Sequence, residues 1–184
     1  MQSPYLHMQQ MEKPIMSAKV MEQLAGRPVA FGCVDLKTAT SMPGVEFLRG
    51  MMSGTFPAPP IAEVLDFLLV EADVGRAVFE GVPSDRFLNP LGTVHGGWMS
   101  TILDSALGCA VHSTLKAGQG FTTVDLAVSF VRAVHQSTGK LRCEAKVIHA
   151  GGRIATAEGR LVDANGKLYA HGTTTCLVMT TPAG

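Results

Sequence analysis

The chain of 184 residues has no excess of either charge: 15 Lys and Arg stand against 15 Asp and Glu, so the formal net charge is zero. Such a chain lacks the electrostatic footing for general nucleic-acid binding, and no local basic cluster restores it. Charged residues are scarce at 16%, while the apolar share of 46% is ordinary. A lightly charged globule has much surface to hide, so an oligomer is expected. No apolar run approaches the roughly 18 residues of a membrane helix. Phe67-Leu68-Leu69-Val70 is the longest clean run near the middle. The start lacks a positively charged stretch followed by an apolar block, so no signal peptide is expected. The four cysteines, Cys33, Cys109, Cys143 and Cys176, form no C-x-x-C pair. They read as reduced thiols of a cytoplasmic protein, three of them in apolar segments as small core residues. Glycine is plentiful at 20 residues, with 10 prolines, which fits a turn-rich β protein.

The length suggests one domain with a tail. Residues 1–43 interleave Met1, Met8, Met11, Met16 and Met21 with polar residues and proline, without sustained periodicity. They are expected to form a partly flexible extension with a short helix or strand at best. Residues 44–52 predict a short helix with Phe47, Leu48, Met51 and Met52 on one side. Residues 56–60 must run extended, because proline restricts itself and its predecessor. Within the single domain assigned to residues 44–184, the compact unit starts near Ile61. Strands are expected over 64–71 and 75–82, then a long helix over 95–116. Its apolar positions, Trp98, Met99, Ile102, Leu103, Leu107, Ala110, Val111 and Leu115, recur at spacings of three and four. Four more strands follow, over 122–134, 141–149, 154–162 and 168–179. In the first, Val124, Leu126, Val128 and Phe130 alternate with Thr123, Asp125, Ala127 and Ser129. Asn165-Gly166 between the last two is a hairpin signal. The fold class is therefore α+β: an antiparallel sheet of about six strands wrapped around one long helix. Its open edges invite pairing between subunits.

One segment carries chemistry. His95-Gly96-Gly97 opens the long helix, although each glycine costs about 1 kcal/mol there relative to alanine. The first amides of a helix lack internal partners and sit at its positive end. A bare Gly-Gly terminus is thus either an entry turn or a place to hold an anion or a polarised carbonyl oxygen. Asp104 lies mid-helix among apolar residues, on a face with Gly97, Thr101, Gly108 and His112 that can admit another chain or a thin ligand. It is either a solvated aspartate or a covered carboxylate, which needs a partner or a purpose. Gly96 and Asp104 are about 12 Å apart along one helix at 1.5 Å per residue, so one carbonyl cannot touch both in the same subunit. Two such helices laid antiparallel by a two-fold axis would join Gly96 of one chain to Asp104 of the other, giving two composite sites.

Asn89, Gly92, His95-Gly96-Gly97 and Asp104, followed by the strand over 122–130, resemble the hotdog-fold acyl-CoA thioesterases, most of all the phenylacetate-degradation (PaaI-like) branch. The resemblance covers about residues 44–180. It implies Asp104 as the catalytic carboxylate, either nucleophile or general base on water. It implies the Gly96 amide as the group that polarises the thioester carbonyl. Asn89 and His95 would position substrate or water, with Thr123 assisting from its strand. Gly97, Gly108, Arg132 and Arg153 are candidates for substrate contact, the two arginines at a coenzyme A phosphate; for both arginines, simple solvation is the plainer alternative. Coenzyme A enters as part of the substrate, so no cofactor is called for. The family also implies sheets joined edge to edge in a dimer, with dimers pairing again into a homotetramer.

Other sites find less support. The histidines form no H-x-x-x-H or H-E-x-x-H pair, so no metal is expected. His112, His135, His149 and His171 read as turn or strand-end residues. Ser100, Ser105 and Ser129 lack a G-x-S-x-G elbow. Gly151-Gly152-Arg153 is a hairpin rather than a phosphate loop. Trp98, Met99 and the Met51-Met52 pair either line an apolar tunnel or pack the core. Two alternatives stand beside hydrolysis: an enoyl-thioester hydratase or dehydratase using His95 and Asp104, and a non-catalytic acyl-CoA sensor.

Overall fold

The computed structural model of the chain describes residues 16–180. Met1, Met8 and Met11 lie outside the described residues. The elements run α1 (Met16–Ala25), α2 (Leu36–Ala39), α3 (Gly44–Ser53), α4 (Pro60–Leu65), β1 (Phe67–Asp73), β2 (Arg76–Gly81), α5 (Gly96–His112), β3 (Gln119–Phe130), β4 (Leu141–Ala150), β5 (Ile154–Asp163) and β6 (Leu168–Thr180). The six strands form one antiparallel sheet in the order β1-β2-β4-β5-β6-β3. That sheet curls around α5, which touches every strand. This is the architecture expected from the sequence. Trp98, Met99, Ile102, Leu103, Leu107, Ala110 and Val111 are all buried against the sheet's inner face. Asn165-Gly166 makes the predicted hairpin: Gly166 takes φ +76°, and Asp163 Oδ1 accepts from the amides of Asn165 and Lys167. Among the described residues no helix is long and apolar enough to cross a membrane.

Four expectations need correction. The strand expected over 64–71 begins late, because residues 60–65 form α4. Pro60 sits in its first turn, where a fixed φ favours a helix and the missing N–H costs nothing. Asp66 ends α4 in the left-handed region at φ 53°. The helix expected to reach residue 116 stops at His112, where the Ser113 hydroxyl donates to the Ala110 carbonyl. Leu115 continues the apolar spacing from the loop after the helix rather than from the helix. There the Gly44 amide donates to the Leu115 carbonyl, docking α3 on the end of α5. A Cβ on Gly44 would lie 1.8 Å from the His112 carbonyl oxygen, so this approach requires glycine.

The third correction concerns β3. Strict alternation puts Val124 with Leu126 and Val128, but the register against β6 shifts between Thr123 and Asp125. Val124 is the extra residue of a bulge and points outward, 57% exposed. Phe121 therefore shares the helix side with Leu126 and Val128. Thr174 donates its hydroxyl to the Asp125 carbonyl at 2.7 Å, satisfying a group the bulge disturbs. The fourth concerns the residues before 44. Met21 is fully buried, and Leu24, Ala25, Val29 and Phe31 pack against the core. Phe31 also bridges to Ala58 within the extended stretch before α4. Packing thus continues well upstream of the boundary drawn at residue 44.

Candidate active site

The start of α5 is held by the loop before it. The Asn89 side-chain oxygen accepts from the Leu91 amide at 2.9 Å, and its amide donates to Thr93 Oγ1 at 2.7 Å. Gly92 turns this loop at φ +82°. The His95 amide donates to the Phe87 carbonyl, and His95 caps the helix: its Nδ1 accepts from the Gly97 amide at 2.8 Å. Gly97 is consequently spent on the cap. The Gly96 amide has no acceptor among the described residues. The Phe130 ring lies over Gly96, 3.0 Å from where a Cβ would stand. An amide at the positive end of a helix, free of internal partners, can stabilise an oxyanion.

Asp104 sits on the face of α5 that the sheet leaves uncovered. Thr123 donates its hydroxyl to Asp104 Oδ1 at 3.2 Å. The bulge at Val124 is what allows this, since it keeps Thr123 on the helix side while Leu126 and Val128 also face inward. Asp104, Ser105, Gly108 and Thr123 border a cavity of about 340 Å³. It spans the gap between β1 and β3, the two edges of the curled sheet. Its lining is otherwise mostly apolar, and Asp104 is the only acidic residue among the described residues that line it. Gly108 is narrow by design: a Cβ would come within 3.2 Å of the Phe121 ring. Cys109, also on the cavity wall, has its thiol pKa pushed up to about 12 by burial and, second, by the Asp104 charge. It stays a neutral thiol at pH 7 and is no nucleophile there.

The predicted residues divide into three groups. Asp104, Thr123 and Gly108 meet at the cavity. Asn89, His95, Gly96 and Gly97 gather at the start of α5, about 12 Å up the same helix from Asp104. Arg132 and Arg153 join neither group. The Arg132 guanidinium donates to the Leu168 carbonyl and lies over the Tyr169 ring. The Arg153 carbonyl accepts from the Val178 amide. Those two anchor points are about 33 Å apart along β6 at roughly 3.3 Å per residue. A single chain cannot place both arginines on one phosphate.

Residues 91–170 match the thioesterase superfamily. A phenylacetic acid degradation-related protein of Ralstonia eutropha JMP134, known from a crystal structure, is 32% identical, with a TM-score of 0.64 over 73% of this chain and 98% of that one. This chain belongs to the thioesterase superfamily. It is accordingly a thioester hydrolase by class. Acyl-coenzyme A thioesterase 13 of Mus musculus is 28% identical over 127 residues, covering 68% of this chain and 89% of that protein. A Streptococcus mutans protein solved with acetyl CoA shares the fold, at 21% identity and a TM-score of 0.58 over 64% of this chain and 92% of that one.

Sequence reading of this thioesterase missed one whole wall of the cavity. Leu24, Ala25 and Val29 line it, although they precede the region of resemblance. Their only signal is Met21, Leu24 and Ala25 at helical spacing, over too few turns to stand out. Met51 and Met52 do line the cavity, whereas Trp98 and Met99 are core residues. Trp98 Nε1 donates to the Leu65 carbonyl at 2.7 Å, which holds its ring in the core.

Proposed function

We propose that this thioesterase hydrolyses acyl-CoA thioesters to a carboxylic acid and free coenzyme A in a two-chain composite site. The Thr123–Asp104 hydrogen bond carries the reading, because it holds the one carboxylate among the described lining residues on the wall of a mostly apolar pocket. The name of the mouse relative supports the acyl-CoA class. Asp104 drives attack on the thioester carbon, either bonding to it directly or taking a proton from the attacking water. The oxyanion that forms needs donors, and the Gly96 amide is one. Collapse of the tetrahedral intermediate expels coenzyme A as a thiolate, which takes up a proton. With water as the other reactant, the products are the acid and the free thiol. Asn89 and His95 hold the Gly96 amide in place through the loop and cap bonds described above.

The geometry favours pairing through β3. Its outer edge is unpaired among the described residues. Gly96 lies beside Phe130 at one end of β3, and Asp104 beside Thr123 toward the other. Antiparallel pairing of two β3 strands therefore sets Gly96 of one chain against Asp104 of its partner.

A thiol-trapping assay on a panel of acyl-CoAs tests the chemistry. Steady thiol release is expected; binding without release would make the protein a sensor, and loss of enoyl absorbance a hydratase. Light scattering tests the assembly, with a mass of at least twice 19.4 kDa expected. An active monomer would overturn the composite site. Mixing Gly96→Pro with Asp104→Asn chains is expected to recover activity in the mixed dimers, since one site then holds both native parts.

A further inference from the structure

The cavity beside Asp104 is not closed by the superfamily segment alone. The superfamily match covers residues 91–170, yet Leu24, Val29, Met51 and Met52 also line the cavity. Leu24 belongs to α1 and Met51 and Met52 to α3, both packed on β1, while Val29 lies in the loop that follows α1. They face Asp104 and Phe121 across the gap between the sheet edges.

The N-terminal segment is tied there by one side chain. Arg27 donates from Nε to the Met52 carbonyl at 3.0 Å and from Nη2 to the Met51 and Met52 carbonyls at 2.8 Å each; Nη1 donates to the Pro28 carbonyl at 2.8 Å. The cation thus caps the C-terminal end of α3, where the helix dipole is negative and the Met51 carbonyl also accepts from the Gly54 amide. Gly54, at φ +87°, makes room for it: a Cβ there would stand 2.7 Å from Nη1. Four of the five N–H groups of the guanidinium are used on backbone carbonyls. Arg27 lines the cavity but has almost nothing left to offer a ligand carboxylate.

We propose that the segment from Leu24 to Val29, clasped to α3 by Arg27, sets the acyl specificity of this enzyme, and that the preferred acyl group is an apolar, methyl-ended chain of medium length. The inference rests on the acyl-CoA reading above. The lining selects an apolar group, because Leu24, Val29, Met51, Met52 and Phe121 offer no hydrogen bonds. The size selects a medium one: about 340 Å³ lies at the low end of the 300–1,000 Å³ typical of small-molecule sites. A ligand carboxylate at the far end would be desolvated without a free cation, which disfavours dicarboxylic acyl groups.

The test measures kcat/KM of the full-length protein on acetyl-, octanoyl-, palmitoyl- and suberyl-CoA, for the wild type, Leu24→Trp and Leu24→Ala. Octanoyl-CoA is expected to lead in the wild type. Leu24→Trp fills the wall and is expected to lower the octanoyl-to-acetyl ratio about tenfold, the scale of a methylene or two of lost pocket contact. Leu24→Ala is expected to raise the palmitoyl-to-octanoyl ratio. The two changes act in opposite directions, so a general loss of folding cannot produce both. Unchanged ratios in both variants, each folded by circular dichroism, would overturn the role of the wall. A wild type that prefers palmitoyl-CoA, or cleaves suberyl- as well as octanoyl-CoA, would overturn the substrate class. Absence of thiol release from all four thioesters would instead remove the acyl-CoA reading, and this inference with it.

Discussion

The two faces of α5 are built on opposite principles. One face carries Trp98, Met99, Ile102, Leu103, Leu107 and Ala110, all pressed into the curled sheet. The other carries Gly97, Thr101, Asp104, Ser105, Gly108 and His112, small or polar, with Asp104 and Gly108 opening on the cavity. The first face supplies stability by removing apolar area from water, about 25 cal/mol per Å². The second gives up such burial and gains access. Phe121 packs close to Gly108 because no Cβ intervenes, and Asp104 keeps the Thr123 hydroxyl as its donor beside the cavity. A helix shared between core and site can serve both because the two faces are set by residue spacing alone.

If the division is sound, substitutions on the two faces fail differently. Asp104→Asn is expected to lower kcat on the best acyl-CoA by about 10²–10⁴-fold, the usual contribution of acid–base groups, while leaving the melting temperature within a degree or two. Retention of more than a third of kcat would sink the assignment of the carboxylate. Leu107→Ala, on the fully buried face, is expected to cost about 2–5 kcal/mol of stability, lowering the melting temperature by about 5–15 °C. Thermal unfolding checks it, and an unchanged melting temperature would contradict the burial.

Smaller effects sharpen the contrast. Thr123→Val keeps the shape but removes the donor to Asp104. A loss of about tenfold in kcat is expected, the scale of one hydrogen bond to a charged group. Thr123→Ser is expected to restore most of it, which loss of packing alone does not explain. The smallest effect is on pH dependence. His112, packed between the Phe47 and Phe121 rings, has its pKa lowered from 6.5 by burial. The unfolded chain therefore takes up the proton first as pH falls below 6.5, and stability is lost over that window. His112→Phe is expected to flatten the fall in melting temperature between pH 7 and pH 5. An identical slope in both proteins would show that His112 does not contribute.

Much of the fold was legible because its signals are local. The three-and-four spacing from Trp98 to Val111 marks the buried helix, and the Asn165-Gly166 turn marks a hairpin. The site was legible in part for the same reason: Gly96 and Asp104 share one helix, so their separation follows from the helical rise. Thr123 was reached only through resemblance. Its alternation with Val124 and Leu126 places it away from the core face, and nothing in residues 122–130 announces a bulge. Residues 24–29 were not reached at all, since their role depends on cavity walls contributed by β1, β3 and α3.

Residue order alone sets the succession of strands and helix along the chain, the two-faced character of α5, and the distance between its glycine terminus and its aspartate. Those properties follow from residue periods and helical rise, which each segment carries without reference to any other. That Thr123 turns toward Asp104 depends on long-range packing, because a β-bulge is a misfit between two strands and exists only once β3 is registered against β6. That Arg27 ties the N-terminal segment over the cavity depends on packing too, because its acceptors are helix-end carbonyls that have no such arrangement until α3 has formed.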